Sequence, residues 1–315
     1  MPDRVPNLFA YAALPRFGLG NVLIPWARSE VFAARHGAQL LAPQWVRPKI
    51  GPLLRRERDL RLYWGFFSNS GTLRGPAKWR VLTHARRYQG IDAEKALSDH
   101  ASDPSTPRLV VFRFQGGGPF FGADAPYARP IIQERLQAIL SRRSRAEFDR
   151  ARASLPKRFI AVHVRRGDKV IMPEGVSANI GQKDLWVMRS EWYERTLQSV
   201  RGAIGDNVPA VIFSDGTDEQ IADLLSLPAT VRSPKGSAIV DMLLLASGNV
   251  LIGTGRSSFS YWAGLLGNAP SVWYPGMSKQ LYPERPEFAI ETDAEGEIDP
   301  AQAEILRLEW NDSNG

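Results

Sequence analysis

Short apolar runs alternate along the chain with longer stretches in which apolar side chains recur every three or four positions. Leu8 to Ala12 reads as a strand, followed by Phe17-Gly18-Leu19-Gly20-Asn21. From Val22 to His36, the positions Val22, Ile24, Trp26, Ala27, Val31, Phe32 and Ala34 predict a mostly buried helix. Gly37 ends that helix, and Ala38 to Ala42 predicts the next strand. Strand, glycine loop, helix and strand in this order open a nucleotide-binding type of α/β domain. Residues 43–107 show no comparable pattern, only arginines and lysines interleaved with aromatic side chains. Leu109 to Phe114 is again strand-like, Gln115 to Gly118 a glycine-rich turn, and Pro130 to Arg143 a helix with proline at its start.

The second half alternates more clearly. Strands are predicted at Phe159 to Val164, Pro209 to Phe213, Thr230 to Arg232, Val250 to Ile252 and Ser271 to Trp273. Helices are predicted from a Ser190 cap to about Ala203, after the capping box Thr217-Asp-Glu-Gln220, from Ser237 to Ala246 and from Phe259 to Leu266. Strands and helices alternating at this spacing predict parallel, doubly wound sheets with right-handed crossovers. The expectation is a two-domain α/β protein, with domains at 1–155 and 156–290 and a cleft between them. A final segment, 291–315, carries a Pro300 to Trp310 helix expected to cross back onto the first domain.

Composition narrows the classes. With 315 residues, 43% of them hydrophobic, the chain has material for two true cores. No run reaches the roughly 18 apolar residues of a spanning helix, and the start of the chain lacks a signal-like pattern. The absence of cysteine excludes disulfides, thiolate metal sites and thiol nucleophiles. A cytoplasmic location is the expectation. Residues 1–158 hold 27 Lys/Arg against 12 Asp/Glu, a difference of +15, and residues 159–315 hold 13 against 21, a difference of −8; the two sum to the net +7. A polyanion, an anionic membrane or a phosphorylated ligand would suit the first half, as would a plain solvated face.

The densest chemistry is His163-Val-Arg165-Arg166-Gly-Asp168-Lys169, directly after a buried strand. Open α/β sheets bind ligands at the carboxyl ends of their strands, and the planar fork of arginine suits a diphosphate. Gly18 and Gly20 allow the backbone to approach phosphate, and Asn21 opens a helix whose N-terminus attracts anions. Ser257, Ser258 and Phe259 likewise open a helix. Each also has a plainer reading: an ordinary turn, a helix cap, or, for Asp241, a first-turn partner of the helix dipole.

His-x-Arg-Arg-x-Asp after a strand resembles the donor-binding motif of the α(1,2)-, α(1,6)- and O-fucosyltransferase superfamily. Three more segments agree in the same order: the Gly18-Leu-Gly20-Asn21 loop, Asp241-Met-Leu-Leu-Leu-Ala-Ser, and Gly255-Arg-Ser257-Ser258-Phe259-Ser260-Tyr261-Trp262. The resemblance implies a GT-B architecture of two Rossmann-like domains that binds GDP-fucose mainly through the second. It implies that His163 and Asp241 bond the guanine, that Arg165 and Ser258 hold the diphosphate, and that Gly20 and Asn21 close over it. Arg166 and Asp168 would shape the loop.

The implied function is inverting, metal-independent transfer of fucose to a hydroxyl of a glycan or glycolipid acceptor. No Asp-x-Asp pair occurs and the four histidines are scattered, so no metal or other cofactor is expected. Charge on departing GDP would then fall to Arg165 and helix N-termini. Glu174 is the first candidate for the base and Asp184 the second. The basic first half suggests peripheral contact with an anionic membrane at its inner face. Transfer of another GDP-6-deoxyhexose is the alternative within the fold. A nucleic-acid-binding protein is the alternative from another class, though no recognised nucleic-acid motif is present.

Overall fold

A computed structural model describes residues 5–45, 63, 65–115, 125–166, 170–171, 186–282 and 284–312. Asp168, Lys169, Glu174 and Asp184 lie outside the described residues, as does Arg55. The chain divides into two compact units: residues 146–315 with 119–126, and the remainder.

The first unit contains β1 (Leu8–Ala13), α1 (Leu19–His36), β2 (Gln39–Leu41), α2 (Gly75–His84), β3 (Arg86–Gln89), α3 (Ala93–Ser102), β4 (Arg108–Arg113) and α4 (Ala125–Ile139). Its four strands are all parallel, in the order β2-β1-β4-β3. Alternation along β1 explains the layering. Leu8 and Ala10 join Phe32 and Ala33 of α1 and Ala96 of α3 on one face. Phe9 turns to the other face, with Leu109, Val111 and Val81 of α2. Both faces are therefore covered, as in a doubly wound sheet.

Elements absent from the sequence reading have a common cause. Only Tyr88 is buried in β3 and only Val81 in α2, so neither shows an apolar period. The helix expected from Pro130 to Arg143 is instead two: α4 carries Pro130 inside it, and α5 (Arg142–Ala153) begins afresh.

The second unit continues with β5 (Ile160–Val164), a short parallel pair of β6 (Val170–Ile171) and β7 (Trp186–Val187), and α6 (Ser190–Ile204). It then runs through β8 (Ala210–Ser214), α7 (Ala222–Leu225), β9 (Thr230–Arg232), α8 (Ala238–Ala246), β10 (Val250–Ile252), α9 (Ser258–Leu266), β11 (Ser271–Trp273), β12 (Ala289–Glu291) and α10 (Pro300–Asp312). Six parallel strands stand in the order β12-β11-β10-β5-β8-β9. Ile160, Val162 and Val164 face a core completed by Tyr193, Leu197 and Val200 of α6. Leu306 of α10 also lies in this core, and Arg158 stacks 3.8 Å from the Trp310 ring. The C-terminal helix thus buries its apolar side in the second unit, where the sequence suggested a return to the first.

Two parallel, doubly wound α/β sheets are the fold class expected. Among the described residues, no helix is long and apolar enough to cross a membrane.

Candidate functional site

The strand order of the second sheet locates its ligand-binding edge. From β5 the chain moves through β8 to β9 at one edge, then returns to β10 on the other side of β5. The carboxyl ends of β5 and β10 therefore flank a topological switch point, where open α/β sheets bind ligands. The loop after β5 carries Arg165 and Arg166, and the loop after β10 leads through Ser257 into α9.

Period-2 alternation sends His163 to the sheet face opposite Val162 and Val164. There its Nδ1 lies 2.6 Å from the hydroxyl of Ser260 in α9. Ser260 also accepts the Thr254 N–H at 3.0 Å. The Thr254 hydroxyl donates to the His163 carbonyl and sits 2.8 Å from the Tyr193 hydroxyl. These bonds lock the two strand ends together. Burial pushes the His163 pKa down to about 4, with Arg165 adding to the depression and Asp215 opposing it, so the ring is neutral near pH 7. Phe259 stacks on it with centroids 5.1 Å apart.

The two arginines have separate surroundings. Arg166 is buried: its guanidinium donates to the Met188 carbonyl and to the Ser190 hydroxyl, both at 2.8 Å, and lies 5.8 Å from the centre of the Tyr193 ring. Its backbone N–H donates to Asp215 at 2.7 Å. Arg166 therefore staples the loop to α6. Ser190, expected to cap that helix, is its first residue, and Arg189 occupies the capping position. The Ser190 hydroxyl accepts from Arg166 instead. Arg165, half-buried, begins the loop beyond the strand.

Close packing sets the start of α9. A Cβ on Gly253 would fall 2.3 Å from Trp273, and one on Gly255 would fall 1.7 Å from the Met277 sulfur. Only glycine fits either position. Ser257 then occupies the capping position, 2% exposed, and its hydroxyl has no hydrogen-bond partner among the described residues. Leaving a buried hydroxyl unsatisfied costs about 1–3 kcal/mol, which is a reason to look for a ligand there. Ser258 and Phe259 are the next two residues and are half-buried.

Asp241 lies in the first turn of α8. The cap of that helix comes from elsewhere: Glu147 of α5 accepts the Ser237 N–H at 2.6 Å and the Ser237 hydroxyl at 3.2 Å. Asp241 thus stands in the first turn, where a carboxylate meets the helix dipole, while Glu147 bonds the capping residue. Sequence reasoning missed Glu147, because nothing in the sequence links it to a helix 90 residues away. Thr254 and Ser260 were missed too, although Ser260 is one turn from Ser257 and could have been read as its inward-facing neighbour.

The first unit has a switch point of its own, between β1 and β4. Gly18 is the capping residue of α1, and its carbonyl accepts from Asn21 and Val22 at 3.0 and 3.2 Å. The helix begins at Leu19, three residues earlier than its apolar period suggested, so Gly20 and Asn21 sit inside the first turn. A Cβ at Gly18 would meet nothing within 4 Å, and no acidic residue stands in the first turn. The loop after β4 lies beside it, with Phe114 packed edge-on to Phe17 at 5.1 Å. Among the described residues, no group of three or more His, Asp or Glu side chains could hold a metal.

Residues 131–275 match the model of glycosyl transferase family 11. No curated protein matches. Among solved structures, POFUT1 in complex with GDP aligns with TM-score 0.55 and 14% identity, over 85% of this chain and 99% of that one. POFUT1 in complex with GDP-fucose gives 0.51 and 15%, over 85% and 98%. A mutant of Arabidopsis thaliana FUT1 in complex with GDP gives 0.51 and 12%, over 85% and 71%. The structural likeness establishes the shared fold, and the family match covers the segment that carries His163, Arg165, Asp241 and Ser257. Over residues 131–275 the chain is similar to glycosyl transferase family 11, and it shares the fold of POFUT1 and FUT1.

Proposed function

We propose that the protein is an inverting, metal-independent fucosyltransferase that moves fucose from GDP-fucose to a hydroxyl of a glycan or glycolipid acceptor. The observation carrying this reading is the β5/β10 switch point, which sets Arg165 and the Ser257–Ser258 start of α9 on its two flanking loops. The GDP and GDP-fucose complexes of proteins with the same fold support the nucleotide.

In this reading, His163 and Asp241 bond the guanine, and Phe259 helps to enclose it. Arg165, Ser257 and Ser258 receive the diphosphate, together with the backbone N–H groups at the start of α9. Gly18, Gly20 and Asn21 supply a second anion-attracting helix start, in the first unit. The acceptor hydroxyl oxygen attacks the anomeric carbon of fucose as the bond to the diphosphate oxygen breaks. Inversion follows from this single displacement. The acceptor proton passes to a carboxylate, for which Glu174 is the candidate.

Negative charge develops on departing GDP, and preorganised donors facing it lower the barrier. Arg165 and the α9 N-terminus fill that role without a metal. The proposed acceptor side is the basic first unit, where Arg74, Arg80, Arg86 and Arg87 are exposed and could meet an anionic membrane at its inner face.

A donor panel reading fucose transfer and free GDP release tests the proposal. Arg165→Ala should lower transfer by at least about 100-fold, the scale of losing a charge-stabilising donor, with the circular dichroism spectrum unchanged. Near-normal transfer by the folded variant would remove Arg165 from the mechanism. Preference for a different GDP-sugar would change the donor.

A further inference from the structure

Three non-glycine residues among those described have positive φ: Asn7, Ala229 and Arg256. Asn7 and Ala229 each precede a strand by one residue, at the amino end of their sheets. Arg256, at φ 56°, is the one at the carboxyl end, directly before the capping residue of α9. A left-handed conformation crowds the Cβ of any L-residue and is normally filled by glycine or asparagine.

The loop uses glycine differently. Gly253 and Gly255 are required by space, against Trp273 and the Met277 sulfur, and neither has a positive φ. The residue that the dihedral would assign to glycine is an exposed arginine. Its conformation is held from behind. The Arg256 N–H donates to the Tyr261 hydroxyl at 3.1 Å, and that hydroxyl donates to the Met277 carbonyl at 2.9 Å. Tyr261 is itself buried. Gly255 packs against Met277 on one side and the buried cap Ser257 lies on the other, so the residues on both sides of Arg256 are fixed. Strain that its surroundings over-determine at a ligand-binding edge is characteristic of functional positions.

We infer that Arg256 is held in this conformation to bring a second cation, besides Arg165, to the diphosphate of the bound nucleotide. The inference rests on the donor reading above. Its supports are the exposed guanidinium, its place one residue before Ser257, and the partnerless buried hydroxyl of Ser257 among the described residues. A cation here would meet negative charge as GDP departs, when it is of most use.

Two variants separate charge from backbone. Arg256→Gly removes both the charge and the strain, whereas Arg256→Gln removes the charge but keeps the Cβ. Calorimetric titration with GDP and with guanosine, alongside thermal unfolding, reads both properties. Both variants should bind GDP about tenfold more weakly, the scale of one charge-assisted hydrogen bond. Guanosine binding should be unchanged. Arg256→Gly should melt no lower than the wild type. GDP binding within twofold of wild type in both variants overturns the inference. So does a parallel loss of guanosine binding, which would assign Arg256 to loop shape. Failure of the wild type to bind GDP at all would instead sink the donor reading itself.

Discussion

The Ser260 hydroxyl and His163 Nδ1 stand 2.6 Å apart inside the second unit, joining the end of β5 to the first turn of α9. One bond therefore couples the two loops that carry Arg165 and Ser257. Ser260→Ala would leave His163 Nδ1 and the Thr254 N–H without partners. We expect a loss of about 2 kcal/mol by urea unfolding, with weaker GDP binding. A loss below about 0.5 kcal/mol, the range of ordinary surface changes, would show that the bond does not brace the site.

Protonation of His163 should be visible in stability. Its folded pKa, about 4, lies below the ordinary 6.5, so between these values the unfolded chain binds more protons than the folded one. Stability from this group is complete above pH 6.5 and is lost as pH falls towards 4. The full effect is on the order of 3 kcal/mol. Thermal unfolding between pH 4 and 7 should show the slope, and His163→Gln should flatten it. An unchanged slope in the variant would place the titration elsewhere.

Glu147 caps a helix far from it in sequence. Glu147→Ala should cost about 1 kcal/mol, as capping losses do, measurable as a lower Tm. An unaltered Tm would mean that water replaces the carboxylate at Ser237 without loss.

The exposed arginines of the first unit make a prediction about surfaces. Flotation with vesicles containing anionic lipid should carry the protein upward at low salt, and binding should weaken as salt screens the charge. Equal behaviour with neutral vesicles would confine the basic face to other partners.

Much of the second sheet was legible because its strands are buried on both faces and read as near-continuous apolar runs, as Phe159 to Val164 does with only His163 interrupting it. Thr217 and Gln220 form their capping box as written, with bonds of 2.9 and 3.4 Å. Two of the four edge strands of the two large sheets were illegible, β3 burying only Tyr88 and β12 only Ile290, while the edge strands β2 and β9 were read. The cap expected of Ser190 failed because a tertiary partner, Arg166, takes the hydroxyl. The chemistry-bearing residues at strand ends were legible from local motifs. Their supports were not, since Asp215, Thr254 and Glu147 act across 49, 91 and 90 positions.

In the proposed reading the β5/β10 edge is a GDP site. The most direct test is a thermal-shift titration of the intact protein with GDP, UDP and CMP, since a ligand that binds only the folded state raises its apparent stability. A concentration-dependent rise in Tm is expected with GDP alone, much reduced in Arg165→Ala. A rise of equal size with UDP or CMP, or no rise with GDP at saturating concentration, would contradict it.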